Sequence, residues 1–448
     1  IVDGWEKGMK RRNFLKVSVG MYAASALSGN TFAKGKITSP NETLNVGVIG
    51  CNGMGNSNLR SMLLNSNVRC TALCDVDDAV LSKRKAEISR DFGSKPLLYK
   101  DYRSLLGNRD IDAVIIATPD HWHCLQMVDA VSAGKHVYIE KPISNSISEA
   151  KWMVDAANYH KTVVQVGQWQ RSGKHWSDAI DYVHSGALGQ IRTVKAWAYM
   201  DWLKSIPVRP DTKVPSGVDY DMWLGPAPDR PFNTNRFHFT FRWFWDYAGG
   251  LMTDWGVHLL DVVLWGMNAT TPNRIVSSGG NFAYPNSAME TPDTQQAIFE
   301  FPDFTMIWEH ANGIGLGPYQ RSHGIAFIGN NGTLIVDRGG WEVLPEIESE
   351  QGVKKSKVEP VERQSAKPGE TGLAQHTSNF VNAIRENEKL NCDINVGSLA
   401  AINAHMGNIA LKTKSSLVWN AEAENFGGND AANDSMTPEY RSPWNAPI

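Results

Sequence analysis

The sequence predicts an α/β Rossmann-like nucleotide domain with a parallel sheet, followed by an α+β domain with a large, mostly antiparallel open sheet. Three observations carry this expectation. Apolar runs and helix-like stretches alternate from Leu44 to Val166, the mark of successive βαβ units. The first run ends in the glycine turn Gly50-Cys51-Asn52-Gly53-Met54-Gly55, and from Gln190 the apolar period shortens to two. A chain of 448 residues exceeds a single core and accommodates both units.

Taken in order, residues 44–50 read as a buried parallel strand because they are apolar without alternation. Strands follow at 68–74, 113–117, 136–139 and 162–166, with helices at 78–92, 122–133 and 147–159 between them. Ser146 and Glu149 have the spacing of a capping box. In the second half, 191–197, 295–301, 305–308, 325–328 and 333–336 alternate as half-buried strands, the last two joined across Gly329-Asn330-Asn331-Gly332 as a hairpin. Residues 377–388 and 398–412 read as helices. The nucleotide domain is placed at 44–168, the substrate and oligomerisation domain at 169–424, and a turn-rich wrapping tail at 425–448.

The N-terminal stretch reads as an address. Met9 is the expected start, and Lys10-Arg11-Arg12-Asn13-Phe14-Leu15-Lys16, a mildly apolar run and Thr31-Phe32-Ala33 resemble a twin-arginine export signal over residues 1–33. The periplasm is the expected location, with 34–43 as a linker. No later segment is apolar enough to span a membrane. A net charge of −3 and a pI of about 6.5 give no reason to expect a nucleic-acid partner, and favour a small neutral ligand. The five cysteines contain no CxxC pair, so neither a disulfide framework nor a zinc ribbon is expected.

The chemistry concentrates at strand ends, where an open α/β sheet places its ligand crevice. Gly50, Asn52, Gly53, Met54 and Gly55 form a turn that lets backbone approach a pyrophosphate at a helix N-terminus. Asn52 stands where the motif expects glycine, and Asn tolerates left-handed backbone better than most residues. Asp75 ends the second strand, where a carboxylate binds a ribose 2′-hydroxyl and repels a 2′-phosphate, so NAD is expected over NADP. Thr118, Pro119 and His123 follow the strand at 113–117, and Glu140 and Lys141 follow the strand at 136–139. His121, His123 and Cys124 are read as helix-start or cofactor contacts, and no metal is expected. Lys141 beside a nicotinamide is placed to move a proton.

These motifs, with the downstream run Gly249-Gly250-Leu251-Met252-Thr253-Asp254-Trp255-Gly256-Val257-His258, resemble the Gfo/Idh/MocA family of sugar and cyclitol oxidoreductases. The resemblance implies that Lys141, Asp254 and His258 surround the reacting carbinol. Helical spacing agrees, since residues four apart share a face. A base, His258 or Lys141, would take the hydroxyl proton as hydride leaves the same carbon. The resemblance also implies an open sheet that often serves oligomerisation, so a homo-oligomer is expected.

Nine of the 16 tryptophans fall between Trp169 and Trp265, around a Pro-rich irregular region from Met200 to Asp246. Flat apolar rings stack on pyranose faces, which favours a carbohydrate substrate. Trp169, Arg171, Trp245 and Tyr247 are the candidate substrate contacts. Three functions remain open: an NAD-dependent sugar oxidoreductase, a glycosidase that uses NAD in a closed cycle of oxidation, elimination, hydration and reduction, and a redox-silent carbohydrate-binding protein.

Overall fold

A computed structural model describes residues 42–447. The expected export signal and most of the linker lie outside the described residues.

β1 (Leu44–Ile49), β2 (Val68–Cys74), β3 (Leu97–Tyr99), β4 (Ala113–Ile116), β5 (His136–Ile139) and β6 (Val164–Val166) form one sheet in the order β3-β2-β1-β4-β5-β6. Every pairing in it is parallel. Helices cover both faces, which is why β1 and β4 are buried nearly throughout and read as apolar runs. β3 left no such trace, being three residues long with both leucines facing solvent. The strand order reverses between β1 and β4, so their C-terminal ends leave a crevice.

The second sheet is built from β7 (Ile191–Met200), β8 (Arg274–Gly280), β9 (Thr294–Glu300), β10 (Thr305–Asn312), β11 (His323–Gly329), β12 (Gly332–Asp337) and β13 (Gly340–Pro345). β14 (Ile347–Glu350) and β15 (Val353–Ser356) make a separate ribbon, and β16 (Val361–Ser365) and β17 (Leu417–Val418) close the edges. The order is β16-β13-β12-β11-β7-β10-β9-β8-β17, antiparallel except where β10 runs parallel to β7. Alternation sets its faces: in β9, Gln295, Ala297 and Phe299 are buried while Gln296 and Ile298 are exposed.

Two late helices return to the first sheet. Leu373–Glu386 inserts Phe380 and Val381 among Leu44, Val46, Leu59 and Ile115. Ile394–Thr413 is buried along most of its length and packs against Ile147–His160, Val257–Met267 and β8. It begins four residues before the expected helix because Asp393 caps it, accepting from Val396 N at 3.0 Å. One apolar core therefore runs through both halves. All five cysteines are free and buried within this structure.

The tail locks onto the helix Asp120–Ser132. Trp444 meets Trp122 edge-on at 4.8 Å, and Arg441 pairs with Asp221 at 2.7 Å. Ser146 Oγ accepts from Glu149 N at 3.2 Å, while the Glu149 carboxylate accepts from Asn145 N at 2.8 Å and from the Tyr440 hydroxyl at 2.7 Å. Burial pushes Glu149 up to about 7 against these three hydrogen-bonding groups. A carboxyl raised on folding contributes stability below its unfolded value, and that contribution is lost as pH climbs through its folded value. Between pH 5 and 8 the wild type is expected to lose on the order of 2 kcal/mol more stability than Glu149→Gln. Thermal melts of the two proteins across that range check it, and parallel pH curves would contradict it.

Candidate active site

The turn after β1 leaves no room for side chains. Gly50 has φ +84°, and a Cβ on it would lie 2.6 Å from Ala117 O. At Gly55 a Cβ would lie 1.9 Å from Gly50 O. These two contacts seat the helix Gly53–Met62 directly against the strand ends. Asn52 is not left-handed as its place in the motif suggested: φ −93° and ψ 177° are extended backbone that any residue adopts, so no glycine is needed there. Its Oδ1 accepts from Arg84 Nη2 at 2.8 Å, and Arg84 Nε donates to Cys51 O at 3.1 Å. No side chain caps the helix, so its first N–H groups are left for an anion. The turn thus fits a dinucleotide pyrophosphate.

Asp75 supports the same cradle. Its Oδ2 accepts from Cys51 N at 2.9 Å and its Oδ1 from Asp77 N at 3.1 Å. Burial raises its pKa, and the two backbone N–H groups counter that rise. Each oxygen retains a second lone pair for a ribose hydroxyl. At the end of β4, Thr118 Oγ1 donates to Gln126 Oε1 at 2.7 Å. His123 bridges two strand-end loops, with Nδ1 at 2.7 Å from Pro142 O and Nε2 at 2.8 Å from Thr118 O. Burial lowers it to about 4, so the neutral ring donates to one carbonyl at a time. It ties loops together. Among the described residues no group of three His, Cys, Asp or Glu side chains is disposed to hold a metal.

The reacting end is an ion pair between the two halves. Lys141 Nζ donates to Asp254 O at 2.8 Å and to Asp254 Oδ1 at 2.9 Å. Asp254 sits in a single π-helical turn, Met252–Gly256, that opens the helix Val257–Met267. Such turns widen the helix and re-aim its side chains, often at functional sites. Arg242 Nε reaches the same Oδ1 at 3.3 Å. Burial works against the charge, yet Lys141 and Arg242 together hold the Asp254 carboxyl far below the usual carboxylate range. Beside them, Glu140 Oε1 accepts from Asn58 Nδ2 at 2.7 Å, and Gly167 leaves it space that a Cβ would enter at 2.8 Å.

Ten of the eleven expected cofactor contacts, together with Asp254, line one cleft of about 1230 Å³, open solvent included. Gly55 lies beneath the turn and does not reach it. His258 is also absent from the wall. Its ring packs edge-on to Trp169 at 6.0 Å and Trp255 at 6.3 Å, with Nδ1 buried and without a partner. Burial, then the cations Lys141 and Arg338, hold it well below its ordinary value.

The structure does not bring the four expected substrate contacts together at the cleft. Arg171 is committed to buried Asp261 at 2.8 Å. Tyr247 is fully buried against Trp223 at 4.9 Å. Trp245 Nε1 donates to Glu290 O at 3.0 Å and borders a separate hollow with His405 and Lys412. Trp169 stays near the site through His258. Four of the nine clustered tryptophans, Trp176, Trp197, Trp223 and Trp243, are buried. Asp120, within the strand-end run 117–123, also lines the cleft, as do Arg242, Met222, Trp223, His238, Phe239 and Phe241, which sequence pattern did not mark. Arg242 had a signal, a guanidinium inside the aromatic run Phe237 to Phe244. Asp120 is buried at a helix start, and burial raises its pKa well above the usual range.

Residues 44–168 match the profile described as an oxidoreductase family with an NAD-binding Rossmann fold, and residues 183–281 match that family's C-terminal α/β domain. A glycosyl hydrolase family 109 protein from Shewanella sp. strain ANA-3 is 29% identical over 201 residues, 40% of this chain and 44% of that protein. An α-N-acetylgalactosaminidase from Shewanella oneidensis is 28% identical over the same length and shares. The match therefore spans less than half of these relatives. Levoglucosan dehydrogenase in complex with NADH superposes with a TM-score of 0.63 at 18% identity, covering 84% of this chain and 98% of that one. With both of its domains matched and an NAD-binding Rossmann fold in the first, the chain belongs to the Gfo/Idh/MocA family of oxidoreductases.

Proposed function

We propose that the protein oxidises a secondary hydroxyl of a sugar or glycoside, with Lys141, Asp254 and His258 as the reacting set. The observation that carries this reading is the Lys141–Asp254 pair at 2.9 Å, in the same cleft as the uncapped glycine turn. NAD, when bound, supplies the hydride acceptor. The turn at Gly50 to Gly55 holds its pyrophosphate, Asp75 its ribose, and Thr118 and Pro119 flank the strand end beside it. Lys141 donates a hydrogen bond to the substrate oxygen and steadies the charge that develops there as the C–H bond breaks. Asp254 keeps Lys141 aimed. His258, neutral by burial, is the acceptor for the hydroxyl proton. Export of the folded chain, as residues 1–33 suggest, goes with NAD retained tightly through purification.

A second reading is favoured by the Shewanella relatives, whose names are those of glycoside hydrolases. In it the same first oxidation is followed by elimination of the aglycone, addition of water and re-reduction, so no NADH accumulates. Purified protein incubated with aryl glycosides, read both at the NADH band and for aryl release, separates the two. A rise in NADH supports net oxidation, and aryl release without it supports the cycle. Neither signal, from protein that also fails to bind NAD, would sink both. Lys141→Ala is expected to lower either activity by about 10³-fold or more while NAD affinity stays within a few-fold.

The pH profile follows from His258. Held below its ordinary 6.5, the ring stays neutral across pH 6 to 8. The oxidative kcat is therefore expected to show no break near pH 6.5, whereas a base of ordinary pKa would lose activity below it. A titration of kcat with an acidic limb centred near 6.5 would remove His258 from this role.

A further inference from the structure

Arg338 is a cation for which the proposed reaction has no use. It follows β12, and its guanidinium lies over Trp169 at 4.8 Å and over Trp255 at 4.2 Å. Nε donates to Gln170 Oε1 at 3.3 Å, and among the described residues no carboxylate pairs with it. The adjacent acid is already taken, because Asp337 pairs with Arg321 at 3.1 Å and with Arg363 at 2.8 Å. Burial pulls Arg338 down to about 10, with Asp254 drawing it back up. A half-buried guanidinium without a carboxylate partner is costly, and stacking on two rings offsets part of that cost.

Its neighbours are imidazoles with a ring nitrogen unpaired. His258 Nδ1 and His323 Nε2 are buried without hydrogen-bond partners. His323 lies 4.8 Å from Trp255, and burial holds it at about 4, so both imidazoles are neutral at pH 7, each with one N–H and one acceptor nitrogen. The local charge is unbalanced too. Lys141 and Arg242 already share the one carboxylate of Asp254. Of the other acids nearby, burial raises the pKa of both Asp120 and Glu140, and Glu140 Oε1 accepts from Asn58.

We propose that Arg338 is a specificity residue for a carboxylate on the sugar, so that the substrate is a uronic acid or a glycosiduronate. With its faces over Trp169 and Trp255 and Nε bound to Gln170, the guanidinium has its Nη edge left for a planar, bidentate partner. The two indoles hold the guanidinium plane, and His323 Nε2, buried beside Trp255 without a partner, is left for a hydroxyl of the ring that carries that carboxylate. This inference rests on the sugar-oxidising reading of Lys141 and Asp254, and names the substrate class for it.

The test compares a p-nitrophenyl glucuronide with the matching glucoside, using the NAD-loaded protein. Wild type is expected to favour the glucuronide at least tenfold in kcat/KM, and Arg338→Gln to lower that ratio at least tenfold, chiefly through KM. Arg338→Lys, which keeps the charge without the fork, should recover part of it. Equal use of the two sugars by wild type, preference for the glucoside, or an equal loss on both in Arg338→Gln overturns the proposal. The last outcome is what a purely packing role predicts. If Arg338→Gln does not fold, the wild-type ratio decides alone. Calorimetry with free glucuronate and glucose separates this inference from the reading beneath it. Binding of the acid alone without any turnover supports the carboxylate site and sinks the oxidation, whereas turnover of the neutral sugar alone does the reverse.

Discussion

The ion pair between Lys141 and Asp254 is the constraint on which the site depends, because its partners come from opposite halves of the chain. Lys141 stands at the end of β5, positioned by the parallel sheet, and Asp254 stands on a π-helical turn that opens a buried helix of the second half. Lys141 binds both the backbone oxygen and the carboxylate of Asp254, so the lysine is fixed by two acceptors. Removing one partner of such a pair typically costs about 3–5 kcal/mol, since the other charge is left buried and alone. Arg242 leaning on the same carboxylate keeps it ionised, and a carboxylate that stays ionised keeps Lys141 where a substrate oxygen would need it.

Such a pair holds its geometry only if the two halves do not shift against each other. The shared core meets that requirement. Helix Ile394–Thr413 packs on both the nucleotide half and the sheet half, Phe380 closes the face of the first sheet, and the tail lays Trp444 on Trp122. The glycine turn is seated with equal tightness, since Gly50 and Gly55 each lie where a single Cβ would strike backbone. Cradle and ion pair are therefore parts of one rigid frame.

Much of this was legible in the sequence, for reasons that differ by element. β1, β2, β4 and β5 are buried on both faces, so their composition alone marked them. The glycine turn and the residues after β4 and β5 were found because strand ends in such a sheet are where ligands bind. β3 is too short and too exposed to show a period, and β10 gave no sign of running parallel to β7, since register is a property of the assembled sheet. Of the site, Lys141 and Asp254 were readable by motif, whereas Arg242 and Arg338 were not. Their roles come from partners more than ten residues away in sequence, which local pattern does not encode. Tyr247 and Trp245 show the converse: a clustered aromatic is indistinguishable in sequence from a core aromatic, and the fold buries Tyr247 while it turns Trp245 toward a separate hollow.

The two residues of the ion pair are argued to act as a unit, and a double-mutant cycle on turnover tests that most directly. Lys141→Met, Asp254→Asn and the double variant are compared with wild type in kcat/KM for one sugar substrate, with NAD saturating. The account predicts strong non-additivity, the double variant being no more than a few-fold worse than Lys141→Met alone. Losses that simply multiply would mean that Asp254 and Lys141 contribute independently, and would contradict the claim that the pair between the two halves organises the site.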